Sequence, residues 1–503
     1  MTVGRIRHPG PIGYWELSRL QRFLPFATLA FGIATLYLYD LNGVGVLQAD
    51  EPRYLAIGEG MARGTGWITP KLWGSPWFEK PPLLYWMTAL GAKAGLGPEL
   101  CGRVPVAVLS LLFLWTAYAL LAREFGSRAA GVSIALLATS GGWLAYSQLA
   151  LTDLPMAVFF SLAVLLALPL LRKAPVQVGV NSRFLLIGAS LGLGTLAKGL
   201  VPIALAIPFF WFLRRYRSRW WLTFADGALV ALPWYVAVYL RNGYPFIEEF
   251  FLKHHLERLY SASLQHVQPW YYYLPVLLAG LFPWTPAFAL LFKNRPAWDE
   301  RRWFLLSITV FGFVFFSISL NKLPGYLLPL LPPLFILLGA QFETKRLVEL
   351  SRWWLVPSAC LIALVPFMAC LLPASLSAGR LSLAPVQIGR TEWFYILLPL
   401  AAVLLSRRRW AGLILVLCVV LAGLYLKLQS FPVMDQLVSA RGMWREIRDK
   451  SNSMCDAGTN REWLYGLNFY RGAALPGCDP PSRFKFEIHS ANHSRPIVTP
   501  LNK

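Results

Sequence analysis

The stretch Asp50–Pro82, DEPRYLAIGEGMARGTGWITPKLWGSPWFEKPP, is the first long polar segment of the chain and follows the apolar run LPFATLAFGIATLYLYDL at 24–41. It carries Asp50, Glu51, Glu59 and the adjacent Glu79 and Lys80, set among aromatic, Gly and Pro residues. A connector whose only task was to join two membrane helices would need none of that chemistry. The stretch therefore reads as the wall of an active site at a membrane surface.

Only 14% of the 503 residues are charged and 56% are hydrophobic, with a mean hydropathy of +0.50. Soluble domains carry about a quarter charged residues, which puts this chain in the membrane class. Apolar runs long enough to cross a hydrocarbon core of about 30 Å recur along most of it. The formal charge of +22 sits on Lys and Arg in short connectors between those runs. That spread fits the positive-inside rule better than a nucleic-acid groove. Among the six cysteines, Cys360, Cys370 and Cys418 lie in apolar runs, and Cys455 with Cys478 in the polar tail is the pair placed to form a bridge. No Walker or GxGxxG motif is present, which argues against a nucleotide and against an ATP-driven pump.

Arg5, Arg7, Arg19 and Arg22 precede the first run with no small-residue cleavage site after it. The run is read as a retained helix with the N-terminus in the cytoplasm. The next run, 82–97, is short and interrupted by Lys93, so it is expected to lie along the membrane surface. Spans are then expected at about 104–121, 129–150, 155–171, 184–196, 200–213, 221–240 and 271–292. A ninth ends at Asn321, and four more follow at 323–340, 353–372, 393–405 and 410–428. This scheme of 13 spans puts RRYRSR (214–219) and Arg407–Arg409 inside and the acidic and histidine-bearing segments outside. Making 82–97 a full span would reverse that pattern. The expected fold is an all-α polytopic membrane protein. Its catalytic membrane domain covers 1–429, with outer loops 42–82 and 241–269, and a small outer domain covers 430–503, where a Cys455–Cys478 bridge would help so small a core.

That topology gathers Asp50, Glu51, Arg53, Tyr54, Glu79, Lys80, Asp153, Lys198, His254, His255, Arg258, His266, Lys322 and Tyr326 on the outer face. A carboxylate can take a proton from an acceptor or stabilise charge at a sugar carbon. Lys and Arg can neutralise a leaving phosphate, and the apolar helices can house a lipid tail. Transfer from a lipid-linked, phosphate-bearing donor uses all of these and needs no ATP. Each residue also has a plainer reading. Asp50, with Pro52 in the first turn, suits an N-cap, and so does Asp153. Glu79–Lys80 suits a surface salt bridge, Lys198 a side chain reaching for headgroups, and the histidines ordinary interfacial positions. Glu79 and one His could share a divalent ion, although a structural zinc site usually takes four ligands. The coincidence of all these groups on one face favours the site.

The order DEPRY (50–54), FEKPPLLYW (78–86), LTDLP (151–155), LAKG (196–199), HHLER (254–258) and KLPGYLLPLLPP (322–333) resembles one family. These are the bacterial 4-amino-4-deoxy-L-arabinose transferases, relatives of the protein O-mannosyltransferases among the large multi-span glycosyltransferases of GT-C type. The resemblance runs from about 24 to 345 and continues more weakly in the tail, at EWLYGLNFYRG (462–472). It implies that Asp50 is the principal catalytic carboxylate and Asp153 a second acidic residue at the site. Arg53 and Lys80 would meet the donor phosphate, and Lys198, Lys322, Tyr326 and Arg258 would line the donor headgroup. Glu79 would hold a divalent metal, zinc, with His255, whose spacing to Arg258 gives HxxR, or with His254 in the alternative register. Trp77 and the short tail depart from the family pattern.

The implied donor is an undecaprenyl-phosphate-linked sugar, the implied acceptor lipid A phosphate, and the implied reaction direct displacement with inversion. The resemblance also implies a multi-pass protein of the bacterial inner membrane, surrounded by membrane lipids and acting as a monomer. Its active site and C-terminal domain would be periplasmic, with no nucleic acid or nucleotide involved. The motifs do not name the sugar, so another polyprenyl-linked sugar, or a protein or cell-wall glycan acceptor, stays open. A lipid or solute transporter would be expected to show inverted repeats and ionisable residues near the midplane, whereas here the ionisable groups cluster at one surface.

Overall fold

In a hydrocarbon layer every backbone N–H and C=O needs an internal partner, so apolar runs of this length fold as helices. The computed structural model describes residues 13–173, 178–257, 268–293, 298–343, 353–378, 390–405, 408–479, 483–490 and 495–501. Among the described residues seven helices are long and apolar enough to cross a membrane. They are Leu100–Ala138, Asp153–Leu171, Val180–Lys198, Arg214–Asn242, Glu300–Ile318, Pro324–Phe342 and Trp410–Leu437. Two bent pairs, Trp270–Leu281 with Thr285–Phe292 at 110° and Leu355–Ala363 with Val365–Leu376 at 47°, bring the number to nine if each pair is one span. Phe26–Leu38, Val201–Phe212 and Glu392–Leu405 are shorter apolar helices.

The first part of the chain builds the site. Helix α1, Gly13–Leu38, leads into a loop and then into α2, Asp50–Ala62. A hairpin of two short antiparallel strands, β1 (Lys71–Leu72) and β2 (Ser75–Pro76), separates α2 from α3, Leu83–Lys93. With 11 residues at about 1.5 Å each, α3 falls well short of the hydrocarbon thickness. The segments expected at 104–121 and 129–150 begin on one long helix, α4 (Leu100–Ala138), which bends where Gly126 takes φ 82°. The chain continues through α5 (Gly141–Tyr146), α6 (Asp153–Ala167) and α7 (Val180–Lys198). Gly199, at φ 73°, ends α7 in a conformation that costs a residue without Cβ little. The chain then reverses into Val201–Leu205, at the turn expected from the sequence.

Helix α6 and the span Pro324–Phe342 are almost wholly buried, and Arg214–Asn242 runs along the outside of the bundle. Trp143, Phe160, Trp284 and Phe335 are among the largest fully buried side chains of the core. The helix Arg408–Leu437 continues past residue 430, and a small module follows. In it β3 (Met454–Asp456) pairs parallel with β4 (Phe486–His489), which pairs antiparallel with β5 (Ile497–Pro500). Helices Ala440–Ile447 and Arg461–Arg471 start at side-chain caps, Ser439 accepting from the Gly442 N–H and Asn460 from the Glu462 N–H. Met443, Ile447, Met454, Trp463, Leu467 and Ile488 form its core. The expected bridge is present: Cys455 and Cys478 form a disulfide. Closing a loop with a sequence separation of 23 restricts the unfolded chain, so replacing both cysteines by Ser is expected to destabilise the module by about 3 kcal/mol. Limited proteolysis of the full chain, with cleavage appearing first between residues 440 and 501, checks it.

A candidate active site at the start of helix α2

Consecutive residues on a helix point about 100° apart, and α2 uses this to send Asp50 and Glu51 to different tasks. Glu51 turns inward, is 2% exposed, and meets Arg103 of α4 bidentately at 2.7 and 2.6 Å. Arg103 also donates to the carbonyls of Leu41, Val44 and Gly45, and the Ala150 N–H donates to Glu51 Oε1 at 3.1 Å. This buried knot fixes the loop before α2. It removes Glu51 from the constellation expected on the outer face.

Asp50 stays half-exposed, and one oxygen, Oδ1, accepts from Arg53 Nη2 one helical turn on. It is the first residue of α2 and not its N-cap; that position belongs to Ala49. Arg53 Nε donates to the Ala49 carbonyl at 2.9 Å, and Nη1 donates to Glu79 Oε2 at 2.6 Å. Glu79 in turn accepts from Lys80 Nζ on Oε1 at 3.0 Å. Glu79 and Lys80 are both mostly buried, so the surface salt-bridge reading fails. Burial works against the Arg53 charge, but Glu79, with help from Asp50, raises its pKa above the ordinary value. The same burial, reinforced by the charges of Asp50 and Glu79, pushes the Tyr54 hydroxyl well up. Arg53 thus stays a cation and Tyr54 a neutral phenol at any working pH.

Aromatic rings close around this chain of charges. The Arg53 guanidinium carbon lies 5.2 Å from the ring of Trp77, 5.2 Å from that of Tyr465 and 6.0 Å from that of Tyr54. The indole N–H groups of Trp73 and Trp77 are buried and make no hydrogen bond among the described residues. Trp77, the departure from the family pattern, therefore packs on the hub of the site. Tyr465 is a residue that motif reading does not assign, because it comes from the C-terminal module.

A second cluster gathers the later motifs. Asp153, at the start of α6, receives a hydrogen bond from Lys198 Nζ at the end of α7, and that ammonium stands 4.6 Å from the ring centroid of Tyr326. Lys198 is buried and paired, so it does not simply reach for headgroups, and Thr152 occupies the N-cap position that Asp153 was read as filling. Tyr146, at the end of α5, stands at the same corner as Asp153, both beside Gly325. Lys322 is more distant in role: Nζ donates to the carbonyls of Ser319 at 2.5 Å and Gln268 at 3.1 Å and ties two connectors together. A Cβ on Gly325 would lie 2.3 Å from Asp153 Oδ1 and 2.8 Å from Tyr146 Cε1. Gly325→Ala is therefore expected to overpack this corner at a cost of about 1–3 kcal/mol, read as a lower Tm of the purified protein.

The backbone of Glu248–Glu257 continues past positions 254 and 255, but the side chains of His254 and His255 lie outside the described residues, as do Arg258 and His266. Phe78, next to Glu79, meets Phe246 edge-on with ring centroids 5.5 Å apart and shares a buried cluster with Phe250, which sets the start of this segment beside Glu79. Burial raises the Glu249 carboxyl above its ordinary value against the pull of Lys253. The expected zinc does not fit the described donors. Both oxygens of Glu79 meet cations, Arg53 and Lys80, and no three His, Cys, Asp or Glu residues gather among the described residues. A divalent ion needs donor oxygens and nitrogens, and a carboxylate held between two cations is a poor start for one.

One turn of α7 before Lys198, Thr195 borders an apolar cavity of about 340 Å³ between α7 and the helix Trp220–Asn242. Leu191, Phe209, Phe224, Tyr235 and Phe251 are among its lining residues, and the Tyr235 hydroxyl donates to the Thr195 carbonyl at 3.2 Å.

Residues 79–239 match the family model described as dolichyl-phosphate-mannose-protein mannosyltransferase. The chain is 34% identical over 336 residues to the undecaprenyl phosphate-alpha-4-amino-4-deoxy-L-arabinose arabinosyl transferase of Pseudomonas aeruginosa strain UCBPP-PA14. That alignment covers 64% of this chain and 60% of the relative. It is 31% identical over 340 residues to the enzyme of the same name from Edwardsiella ictaluri, covering 64% of this chain and again 60% of the relative. The chain thus spans about three fifths of the length of these relatives. Among solved structures, ArnT from Cupriavidus metallidurans bound to undecaprenyl phosphate superposes with a TM-score of 0.73 at 22% identity, covering 94% of each chain. That likeness establishes the fold, the multi-span helical fold of that protein.

Proposed function

We propose that this chain is an inverting glycosyltransferase that moves 4-amino-4-deoxy-L-arabinose from an undecaprenyl-phosphate-linked donor to a phosphate of lipid A. The observation that carries the reading is the Asp50 carboxylate, half-exposed, with Oδ1 held by an Arg53 that Glu79 and Ala49 fix in place. Among the described residues nothing bonds its second oxygen, which in this reading meets the substrate. Sequence similarity to transferases named for undecaprenyl phosphate-alpha-4-amino-4-deoxy-L-arabinose supports the choice of donor and sugar.

In this reading an acceptor phosphate oxygen attacks the anomeric carbon while the bond from that carbon to the polyprenyl phosphate oxygen breaks. The leaving phosphate takes the electron pair, and configuration inverts. A phosphate acceptor is largely ionised at neutral pH, so Asp50 positions the reactants and stabilises developing charge more than it removes a proton. Arg53 retains N–H groups beyond its three bonds to protein, and with Lys80 it meets the leaving phosphate. Asp153, Lys198 and Tyr326 border the same space. The indole N–H groups of Trp73 and Trp77 are donors for oxygens of the bound substrate. The apolar cavity beneath Thr195 offers room for the polyprenyl chain. No step requires a metal.

We place the protein in the bacterial inner membrane as a monomer with 13 spans, a cytoplasmic N-terminus and a periplasmic site. The membrane part covers 1–429 and the periplasmic module 430–503. Arg/Lys clustering in alternate connectors supports that orientation. Mass spectrometry of lipid A from cells with and without the gene tests the function. One added aminopentose only when the gene is present is the expected result; unmodified lipid A in both, or a different added mass, overturns it.

A further inference from the structure

We propose that the C-terminal module is a working part of the site: its Tyr465 is a positioning residue that, with Trp77, holds the Arg53 guanidinium between Asp50 and Glu79. The inference rests on the transferase reading above and deepens it. Arg53 is the link between the two carboxylates, and its hydrogen bonds to Asp50, Glu79 and the Ala49 carbonyl all run along the edge of the guanidinium. Hydrogen bonds at the edge of a guanidinium leave its flat faces open, and aromatic rings are the groups that complement them. Trp77 and Tyr465 supply such rings at equal distances of 5.2 Å from its carbon.

Two observations separate this arrangement from casual packing. The first is how the module is fastened. Arg441 donates to Glu99 Oε1 at 3.1 Å and to the Asn42 carbonyl at 2.8 Å, and the Tyr470 hydroxyl donates to Glu99 Oε1 at 2.8 Å while accepting from the Val46 N–H at 2.9 Å. Through Asn42 and Val46 these bonds tie the module to the loop just before Asp50, and through Glu99 to the start of α4; Tyr470 lies on the same helix as Tyr465. The second is the hairpin between β1 and β2. Trp73 there takes φ 48°, a left-handed conformation rare for a bulky residue, and its ring lies 5.6 Å from that of Tyr465. The backbone accepts an unfavourable conformation and thereby sets an aromatic side chain against Tyr465.

The test compares Tyr465→Phe, which keeps the ring, with Tyr465→Leu and Tyr465→Ala, which do not. Tyr465→Leu also keeps apolar bulk in the module should the alanine variant unfold it. Loss of the ring is expected to lower kcat about tenfold or more with little change in acceptor KM, and Tyr465→Phe to stay near wild type. Hydrogen exchange of the full-length protein gives a second readout that needs no substrate. The backbone at 50–54 is expected to exchange faster in the Leu and Ala variants, with β3–β5 unchanged, and as in wild type in the Phe variant. Unchanged exchange at 50–54 without the ring overturns the proposal, and so does a Leu variant with wild-type kcat or a Phe variant as slow as Ala. Should the wild-type protein transfer no aminoarabinose, the transferase reading falls, and the exchange comparison alone decides the role of Tyr465.

Discussion

Asp50→Asn is expected to lower sugar transfer by about a hundredfold or more while leaving the protein folded. The exchange keeps the shape of the side chain and one oxygen to accept from Arg53. It removes the negative charge that the proposed reaction uses and that balances Arg53. Asp50 is half-exposed and outside the buried core, so the loss falls on the chemistry and not on the fold. The measurement is single-turnover transfer from an undecaprenyl-phosphate donor, with donor binding and Tm followed in parallel. Near-wild-type turnover in a folded variant would sink the assignment of Asp50. Glu51→Gln supplies the contrast one residue away: its effect is expected first in Tm, because Glu51 faces Arg103 and not the substrate.

Arg103→Ala is expected to cost about 3–5 kcal/mol of stability, the usual result of leaving one member of a buried ion pair without its partner. The geometry puts the effect at the upper end. Besides losing Glu51, the change frees the carbonyls of Leu41, Val44 and Gly45, which Arg103 holds in the loop that delivers Asp50. Arg103→Lys is expected to recover little, since one ammonium cannot serve a bidentate carboxylate and three carbonyls in separate directions. Replacing Glu51 and Arg103 together by apolar residues of similar volume is expected to cost less than Arg103→Ala alone, because no buried charge is then stranded. Thermal unfolding in detergent across this mutant cycle checks all three. A Tm for Arg103→Ala within a degree or two of wild type would show that the knot bears little of the fold.

Much of the architecture was legible without coordinates. Segments that must satisfy their backbone internally and bury apolar side chains announce themselves by length and hydropathy, so most helices fall where the runs are. The tight reversal at Gly199 and the Cys455–Cys478 bridge were equally legible, the first from a glycine after a basic residue, the second because those two cysteines share the polar tail. Motif order also brought out Asp50, Arg53, Glu79, Lys80, Asp153, Lys198 and Tyr326, and the structure gathers these seven into two clusters.

What the sequence determined by itself is the class of the chain, the succession of its helices and the kinds of side chain available for chemistry, because composition and periodicity are local properties. Tertiary structure alone decided who faces whom. Asp50 and Glu51 are adjacent and chemically alike, yet the turn of α2 sends one toward solvent and the other into a buried knot with Arg103. Glu79 is a carboxylate that reads as a metal ligand until its oxygens are found on Arg53 and Lys80. Tyr465 lies in a stretch that carries the resemblance only weakly and receives no role from it, because its position over Arg53 follows from how a distant module docks. Pairings between remote segments depend on the packing of the whole chain, and no window of sequence around Asp50 contains them.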